Sequence, residues 1–331
     1  MGEKITISDV AQALNVSKTT VSRAISGKGR VGADTRKRVI SYIKEYGYVP
    51  NAIAQSLANS KTYNLGLVVP KDYAYNDMPF FKECMAGICE YASGNDYDVV
   101  VTMTTTEDIS QLERMVNNKK VDGVILSRTL TEDPCVKLLK KANIPFVTVG
   151  SCKDQEVIQI DSDHEAACSM LTKLLLEQGM RKIALIGGDM SHIVTNSRLK
   201  GFLKAMTKAG ITGAEDMVYG DVSRLSLGKT VDGIIKSGYE CILCMDDSVC
   251  RKVLDYLKQQ KKEIPKDIKV ASFYDSRILE RNVPGITALK YDAGKLGETA
   301  AKRLMEAINR VEAPKKILLG YEVSMRESTK V

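Results

Sequence analysis

Four polar side chains, Lys18, Thr19, Ser22 and Arg23, crowd into the run "SKTTVSR", which holds no Asp or Glu. Donors and hydroxyls at this density suit hydrogen bonding to phosphates and to base edges in a major groove. Two other groupings invite chemistry. "CILC" (Cys241 to Cys244) has the spacing of a zinc or redox pair, and "IGGD" (Ile186 to Asp189) follows an apolar run as a dinucleotide-binding turn does. Neither develops further. "CILC" lies inside a strand-like run, where small buried cysteines are common, and no second C-x-x-C joins it. "IGGD" lacks the G-x-G-x-x-G spacing, and no G-x-x-x-x-G-K-S/T occurs. A Ser/His/Asp triad has only His164 and His192 to draw on. His164, beside acids in "DSDHEAA" at a helix start, reads as a solvated polar residue. The sequence therefore predicts no catalytic residue, no metal site and no cofactor.

The polar run needs a helix to present it. Thr6-Ile7-Ser8-Asp9 has the form of a capping box, and Ile7, Val10, Ala11 and Leu14 then give one apolar helix face. Asn15 ends that helix, because Asn tolerates the left-handed backbone of a tight turn. Val16 plugs the turn, and Ser17 is a good N-cap for a second helix with Val21, Ala24 and Ile25 inward. A third helix, near Asp34 to Tyr46, places Val39, Ile43 and Tyr46 on one face and stops at Gly47. Charge follows this head. Residues 1–61 hold ten basic and four acidic residues, so they carry six of the chain's seven net positive charges. A basic head on a near-neutral body favours a polyanionic partner. Pattern and charge alone leave a small helical bundle with a solvated polar face as the alternative.

The stretches "TISDVAQALNVSKTTVSRAISGKGRV" and "TRKRVISYIKEYGYVPNAIAQSLANSKTYNLGLVVP" resemble the head and hinge of the lactose/galactose-repressor family of bacterial transcription regulators. The resemblance rests on D-V-A, V-S-x-x-T-V-S-R, G-Y-x-P-N and A-x-S-L, from Thr6 to about Pro70. Asn15 stands where the family commonly has Gly, and Gly32 where a Ser cap is usual. The resemblance implies that Lys18 and Thr19 read bases, that Ser22 and Arg23 make further groove and backbone contacts, and that Thr6 and Ser17 belong to the same DNA-binding set. It also implies a hinge over 50–61, with Asn51, Ala54 and Leu57 at the DNA and Leu57 as a minor-groove wedge. So short a segment is not a stable helix alone, and apolar wedges can unstack a base step. The alternative for Leu57 is packing on the body.

At 331 residues the chain exceeds the usual single core. Strand-like runs at 65–69, 98–102, 122–126, 145–149, 182–186, 241–244 and 269–273 alternate with amphipathic stretches. This predicts two doubly wound parallel-sheet lobes, with ligand between them at the strand C-terminal ends. The fold class expected is thus a small all-α helix-turn-helix head plus α/β lobes. "NDMPFF" (76–81), "VDGVIL" (121–126), "KIALIGG" (182–188), "RLKGF" (198–202), "CMDDS" (244–248), "IPKDIKVASFYDS" (264–276) and "MRESTKV" (325–331) extend the family resemblance over nearly the whole chain. The resemblance implies a core of periplasmic-binding-protein type. The expected domains are a head at 1–49, a hinge at 50–61 and an effector-binding core at 62–331. Within the core, the N-lobe takes about 62–161 and 291–320, and the C-lobe about 162–290 and 321–331.

At the matching cleft positions stand Phe80, Phe81, Gly150, Arg198, Asp246 and Tyr274. Asp246 replaces the usual Asn, Tyr274 the Asp that commonly chelates sugar hydroxyls, and Gly150 a frequent Asp; Ala293 stands where an aromatic residue can occur. Asp247 is expected to cap a helix. The effector is then a sugar or another small metabolite. With no signal peptide and no membrane-length apolar run, the expectation is a cytoplasmic repressor that binds pseudo-palindromic double-stranded operator DNA as a homodimer. The tetramerising tail known in the family has no counterpart after Arg326-Glu327-Ser328. The competing expectation is a cytosolic solute-binding or sensor protein with a vestigial head.

Overall fold

The computed structural model describes residues 5–27, 29–48, 61–71, 79–220, 222, 226–312 and 314–330. The hinge residues Asn51, Ala54 and Leu57 lie outside these, as do residues 76–78 of "NDMPFF" and Val331. The chain divides into two units, Met1–Thr62 and Tyr63–Val331.

The first unit is built from local signals. Thr6 and Asp9 cap each other's backbone at the start of α1 (Ile7–Ala13), with Thr6 N donating to Asp9 Oδ2 at 2.8 Å. Asn15 sits at φ +51°, and Val16 N returns to Ala11 O at 3.0 Å, which reverses the chain. Ser17 Oγ then accepts from Thr20 N at 3.0 Å and opens α2 (Lys18–Ser26). α3 (Ala33–Tyr46) starts at Gly32 without a side-chain cap and ends at Gly47, φ +63°. Val10, Ala11, Val21, Ala24, Val39 and Tyr48 form the buried core. Tyr46 departs from expectation: it is 50% exposed and stacks on Tyr42 at 4.3 Å. The turn at Gly47 brings Tyr48 N back to Ile43 O at 3.1 Å, so Tyr48 takes the core position instead.

The second unit contains two six-stranded sheets. In the first, β1 (Asn64–Pro70), β2 (Asp98–Thr104), β3 (Gly123–Leu126), β4 (Phe146–Val149), β5 (Ile158–Ser162) and β11 (Lys316–Leu319) run parallel in the order β2-β1-β3-β4-β5-β11. In the second, β6 (Ile183–Ile186), β7 (Val218–Tyr219), β8 (Cys241–Cys244), β9 (Lys269–Ser272), β10 (Thr287–Lys290) and β12 (Glu322–Ser324) take the order β7-β6-β8-β9-β10-β12. Only β12 is antiparallel, against β10. α4 (Pro79–Ser93), α5 (Ser110–Asn117), α6 (Pro134–Lys141) and α12 (Ala293–Ile308) pack on the first sheet. α7 (His164–Glu177), α8 (Ile193–Lys208), α9 (Leu227–Lys236), α10 (Asp247–Gln259) and the single turn α11 (Arg277–Glu280) pack on the second.

Strand alternation gives each sheet two apolar faces. On β1, Leu65, Leu67 and Val69 face α4 and α12, while Val68 faces α5 and α6. The same alternation separates Cys241 and Cys244 onto opposite faces of β8, so the C-x-x-C thiols do not converge on one ion. α4 and α12 meet backbone to backbone, because Gly87 and Gly297 carry no Cβ. A Cβ at Gly87 would collide with the Gly294 carbonyl, and one at Gly297 with the Cys84 carbonyl. The chain passes between the sheets after β5, after β10 and between β11 and β12. Each lobe therefore collects segments from distant parts of the sequence.

Candidate functional site

In the first unit, α2 turns Val21 and Ala24 inward at 0% and 2% exposure. Lys18, Thr19, Ser22 and Arg23 are all exposed, as are the two cap residues Thr6 and Ser17. No acidic side chain shares α2, so its outer face offers only cations and hydroxyls. The first turn of α2 carries unpaired helix N–H groups beside Lys18, which adds to its pull on anions.

In the second unit, the strand C-terminal ends of both sheets open onto one cleft with a cavity of about 560 Å³. Doubly wound sheets place ligands there because the loops diverge at that edge, and the volume suits a small metabolite. The first sheet supplies Ser127 to Thr129 after β3, Gly150 after β4, and Asp161 and Ser162 at the end of β5. The second supplies Gly188 and Asp189 after β6, Asp246 and Asp247 after β8, Tyr274 after β9 and Tyr291 after β10. Phe80 and Phe81 enter from α4, and His192, Thr195 and Arg198 from the start of α8. The cleft thus gathers all six expected residues: Phe80, Phe81, Gly150, Arg198, Asp246 and Tyr274.

Aromatic rings form one wall. Phe80 and Phe81 meet edge to face at 5.2 Å, Phe80 meets Tyr274 at 6.1 Å, and Tyr274 stacks on Tyr291 at 5.9 Å and 18°. Tyr291 supplies the aromatic side chain that Ala293 lacks, two positions earlier in the chain. Ala293 is 1% exposed at the first turn of α12. Gly150 has φ +113°, and a Cβ there would approach Thr129 Oγ1 to 2.9 Å, so a side chain at this position is excluded on both counts.

Arg198 is 7% exposed; its Nη1 donates to Met245 O at 2.7 Å, and its guanidinium carbon lies 5.9 Å from the Tyr274 ring centre. Both adjacent acids line the cleft, but the helix cap expected of Asp247 falls to Asp246. Asp246, not Asp247, caps α10, accepting from Val249 N at 2.8 Å. Asp247 lines the cleft, and burial together with the Asp246 charge pushes its carboxyl up to about 6.

His164 also corrects expectation. It is 9% exposed rather than solvated, with Nε2 3.3 Å from Asp161 Oδ1 and its ring 4.7 Å from Tyr291. This pair joins the last strand before a lobe crossing to the first residue after the helix cap, so it spans the hinge between the lobes. Asp161 also accepts from Ser151 N at 2.8 Å, Ser151 Oγ at 2.7 Å and Ser162 N at 2.8 Å. Burial is the largest influence on His164 and holds its imidazole below the ordinary value, against the pull of Asp161. Burial also opposes the Asp161 charge, but His164 and the hydrogen bonds from His164 and Ser151 hold that carboxyl below its usual range. The arrangement is an ionised carboxylate accepting from a neutral imidazole.

The lobes also touch away from the crossing segments in sequence. Thr131 N donates to Ser191 O at 2.8 Å and Ile193 N to Thr129 O at 3.3 Å, an antiparallel bridge that pairs Leu130 with His192. The lobes are therefore joined by a backbone latch as well as by the covalent crossings. The sequence carried no signal for the latch, because neither segment has strand periodicity.

Comparison with known proteins matches residues 6–51 to the model of "Bacterial regulatory proteins, lacI family" and residues 172–329 to a "Periplasmic binding protein-like domain". The HTH-type transcriptional regulator MalR of Streptococcus pneumoniae serotype 4 is 35% identical over 218 residues, which are 65% of this chain and 66% of that protein. The solved complex of the transcriptional regulator CelR with cellobiose superposes with a TM-score of 0.72 at 26% identity, covering 98% of this chain and 99% of that one. The Lac repressor dimer bound to operator and an anti-inducer shares the fold, with a TM-score of 0.79 at 23% identity, covering 99% and 100% of the two chains. Among the described residues no helix is long and apolar enough to cross a membrane.

Proposed function

This chain belongs to the lacI family of bacterial regulatory proteins, and on that premise we propose that it is a DNA-binding transcription repressor controlled by a small effector in the interlobe cleft. The observation that carries the DNA-binding half is the outer face of α2, where Lys18, Thr19, Ser22 and Arg23 are exposed with no acidic side chain among them. Lys18 and Thr19 read bases, Ser22 and Arg23 extend the groove contact, and Thr6 and Ser17 place helix N-termini at phosphates. Asn51, Ala54 and Leu57 belong to the hinge that joins residues 1–49 to the core. Two copies read a pseudo-palindrome, because a two-fold dimer presents two equivalent recognition helices. The cellobiose complex of the regulator CelR supports a sugar as the effector class. Effector and operator are coupled if the effector prefers the lobe arrangement that binds DNA less well. The protein works in the cytoplasm, and its role is regulatory rather than catalytic.

A mobility-shift assay with DNA from upstream of the protein's own gene tests this reading. Binding should be sequence-specific and should weaken steeply with salt as counterions are released. Equal affinity for scrambled DNA, or a flat salt series, would overturn it.

A further inference from the structure

We propose that His164 is an effector-binding residue and that its Nδ1 accepts a hydrogen bond from a hydroxyl of a neutral, polyhydroxylated sugar. This rests on the cleft being the effector site. His164 Nδ1 and Ser162 Oγ are buried without a hydrogen-bond partner in the protein, and both residues line the cavity. The residues are 9% and 2% exposed. Buried polar atoms are normally paired, so orphans at a cavity describe what its occupant brings.

The hinge fixes what His164 can offer. Each oxygen of Asp161 already takes two donors: Ser151 N and Oγ on Oδ2, Ser162 N and His164 Nε2 on Oδ1. A carboxyl with every lone-pair site in use is ionised and has no proton to give. Nε2 therefore carries the imidazole hydrogen, and the other nitrogen of a neutral imidazole is a bare acceptor. Burial keeps the ring neutral, since it holds His164 below its ordinary value. Asp161 on one edge and the Tyr291 ring at 4.7 Å hold the imidazole in place, so the Nδ1 lone pair has a fixed direction.

Only a donor answers that lone pair. An ionised carboxylate or phosphate has no hydrogen to offer it, whereas a hydroxyl donates and accepts at once. A polyol therefore meets Nδ1 with one O–H and has further oxygens for the Ser162 hydroxyl. The Tyr274 and Tyr291 rings, stacked at 5.9 Å, give the apolar face of a sugar a wall. A hydroxyl on Nδ1 also polarises the Nε2–H bond toward Asp161, which ties an occupied cleft to the crossing between the lobes.

Thermal melting of the full chain with glucose, maltose and cellobiose gives the affinities, since a ligand that binds the folded state raises the melting temperature. At least one of the three should bind the wild-type chain. His164→Gln keeps an amide N–H where Nε2 meets Asp161 but leaves no acceptor at the Nδ1 position. It should fold and bind that sugar about tenfold more weakly, the loss of one hydrogen bond. His164→Asn sets its amide oxygen at the Nδ1 position and gives up the Asp161 contact, so it should melt lower yet bind the sugar more tightly than His164→Gln. In the wild-type chain, ¹⁵N spectra of its two histidines should show His164 with a protonated Nε2 and a bare Nδ1, and that Nδ1 resonance should move upfield on adding the sugar. Wild-type affinity in His164→Gln, or an Nδ1 resonance unmoved at saturating sugar, overturns the contact and leaves the cleft as the site. A loss in His164→Asn as large as in His164→Gln also overturns it, because the Asp161 contact rather than the acceptor would then matter. No shift with any of the three sugars overturns the sugar reading itself.

Discussion

Replacing Asp161 with alanine removes the acceptor on which four donors converge: Ser151 N, Ser151 Oγ, Ser162 N and His164 Nε2, at 2.8, 2.7, 2.8 and 3.3 Å. At 6% exposure the carboxylate has little water around it to take its place. Each buried donor left without a partner costs about 1–3 kcal/mol. The Ser151 hydroxyl can rotate elsewhere, and the losses share one site, so they do not add in full. The imidazole opposite is neutral, so no buried charge is stranded, and a loss of about 2–4 kcal/mol from the unsatisfied donors is expected for Asp161→Ala. Asp161→Asn keeps one acceptor but sets an NH₂ group against a donor, so about 1–3 kcal/mol is expected. The chain has no Trp and 14 Tyr, so urea unfolding is best followed by circular dichroism and tyrosine fluorescence at neutral pH. A loss below about 1 kcal/mol for Asp161→Ala at unchanged denaturant slope would refute the argument that this carboxylate organises the hinge. So would an Asn variant as unstable as the Ala variant, because the number of satisfied donors would then not matter.

Other outcomes follow from the same geometry. His164 is held below its ordinary value in the folded protein, so the unfolded chain binds the extra proton first. Stability should therefore be full above about pH 6.5 and fall as pH drops below it; in His164→Asn that loss should be reduced, and an unchanged acid limb would count against it. Gly297→Ala should cost about 1–3 kcal/mol by driving α12 off the Cys84 carbonyl, measured by urea unfolding; a neutral result would mean the helices can part. Ser17→Ala should lower the stability of the first unit by about 1 kcal/mol through loss of the Thr20 cap, read as faster amide exchange in α2. Lys18→Ala should change binding to operators altered at particular base pairs; a uniform loss across all operators would make Lys18 a phosphate contact instead.

The sequence showed most where the physics is local. The Thr6–Asp9 box, the Asn15 turn and the Ser17 cap are short-range contacts, and each could be read from residue type and spacing. Tyr46 was misplaced because helical periodicity does not see the Gly47 turn that sends Tyr48 inward. Val/Ile-rich strands such as β1 and β3 declared themselves, but β5 did not. Its "IQIDS" looks half-polar, although Gln159 and Asp161 are both buried, 1% and 6% exposed, and hydrogen-bonded. α12 was hidden by its small residues, which exist to let α4 approach. In the cleft, residues at familiar positions were found, whereas Asp161, His164 and Tyr291 were not. Their chemistry depends on burial and on partners from different segments, which neither composition nor periodicity reports.

The pairing of β11 with β5 and of β12 with β10 has a consequence for how the protein is made. Gly320 and Tyr321 alone separate β11 from β12, yet these strands complete two different sheets. Gln159 and Lys316, paired in the first sheet, lie far apart in sequence. During synthesis, therefore, the first lobe cannot close its sheet until the ribosome has passed residue 319 and the second until it has passed 324, whereas the head has all its own residues long before. The nascent chain would expose the β5 and β10 edges meanwhile, and unpaired edges invite association. Once seated, the two strands clamp both lobes with one short ribbon, so the core should melt as one cooperative body rather than lobe by lobe.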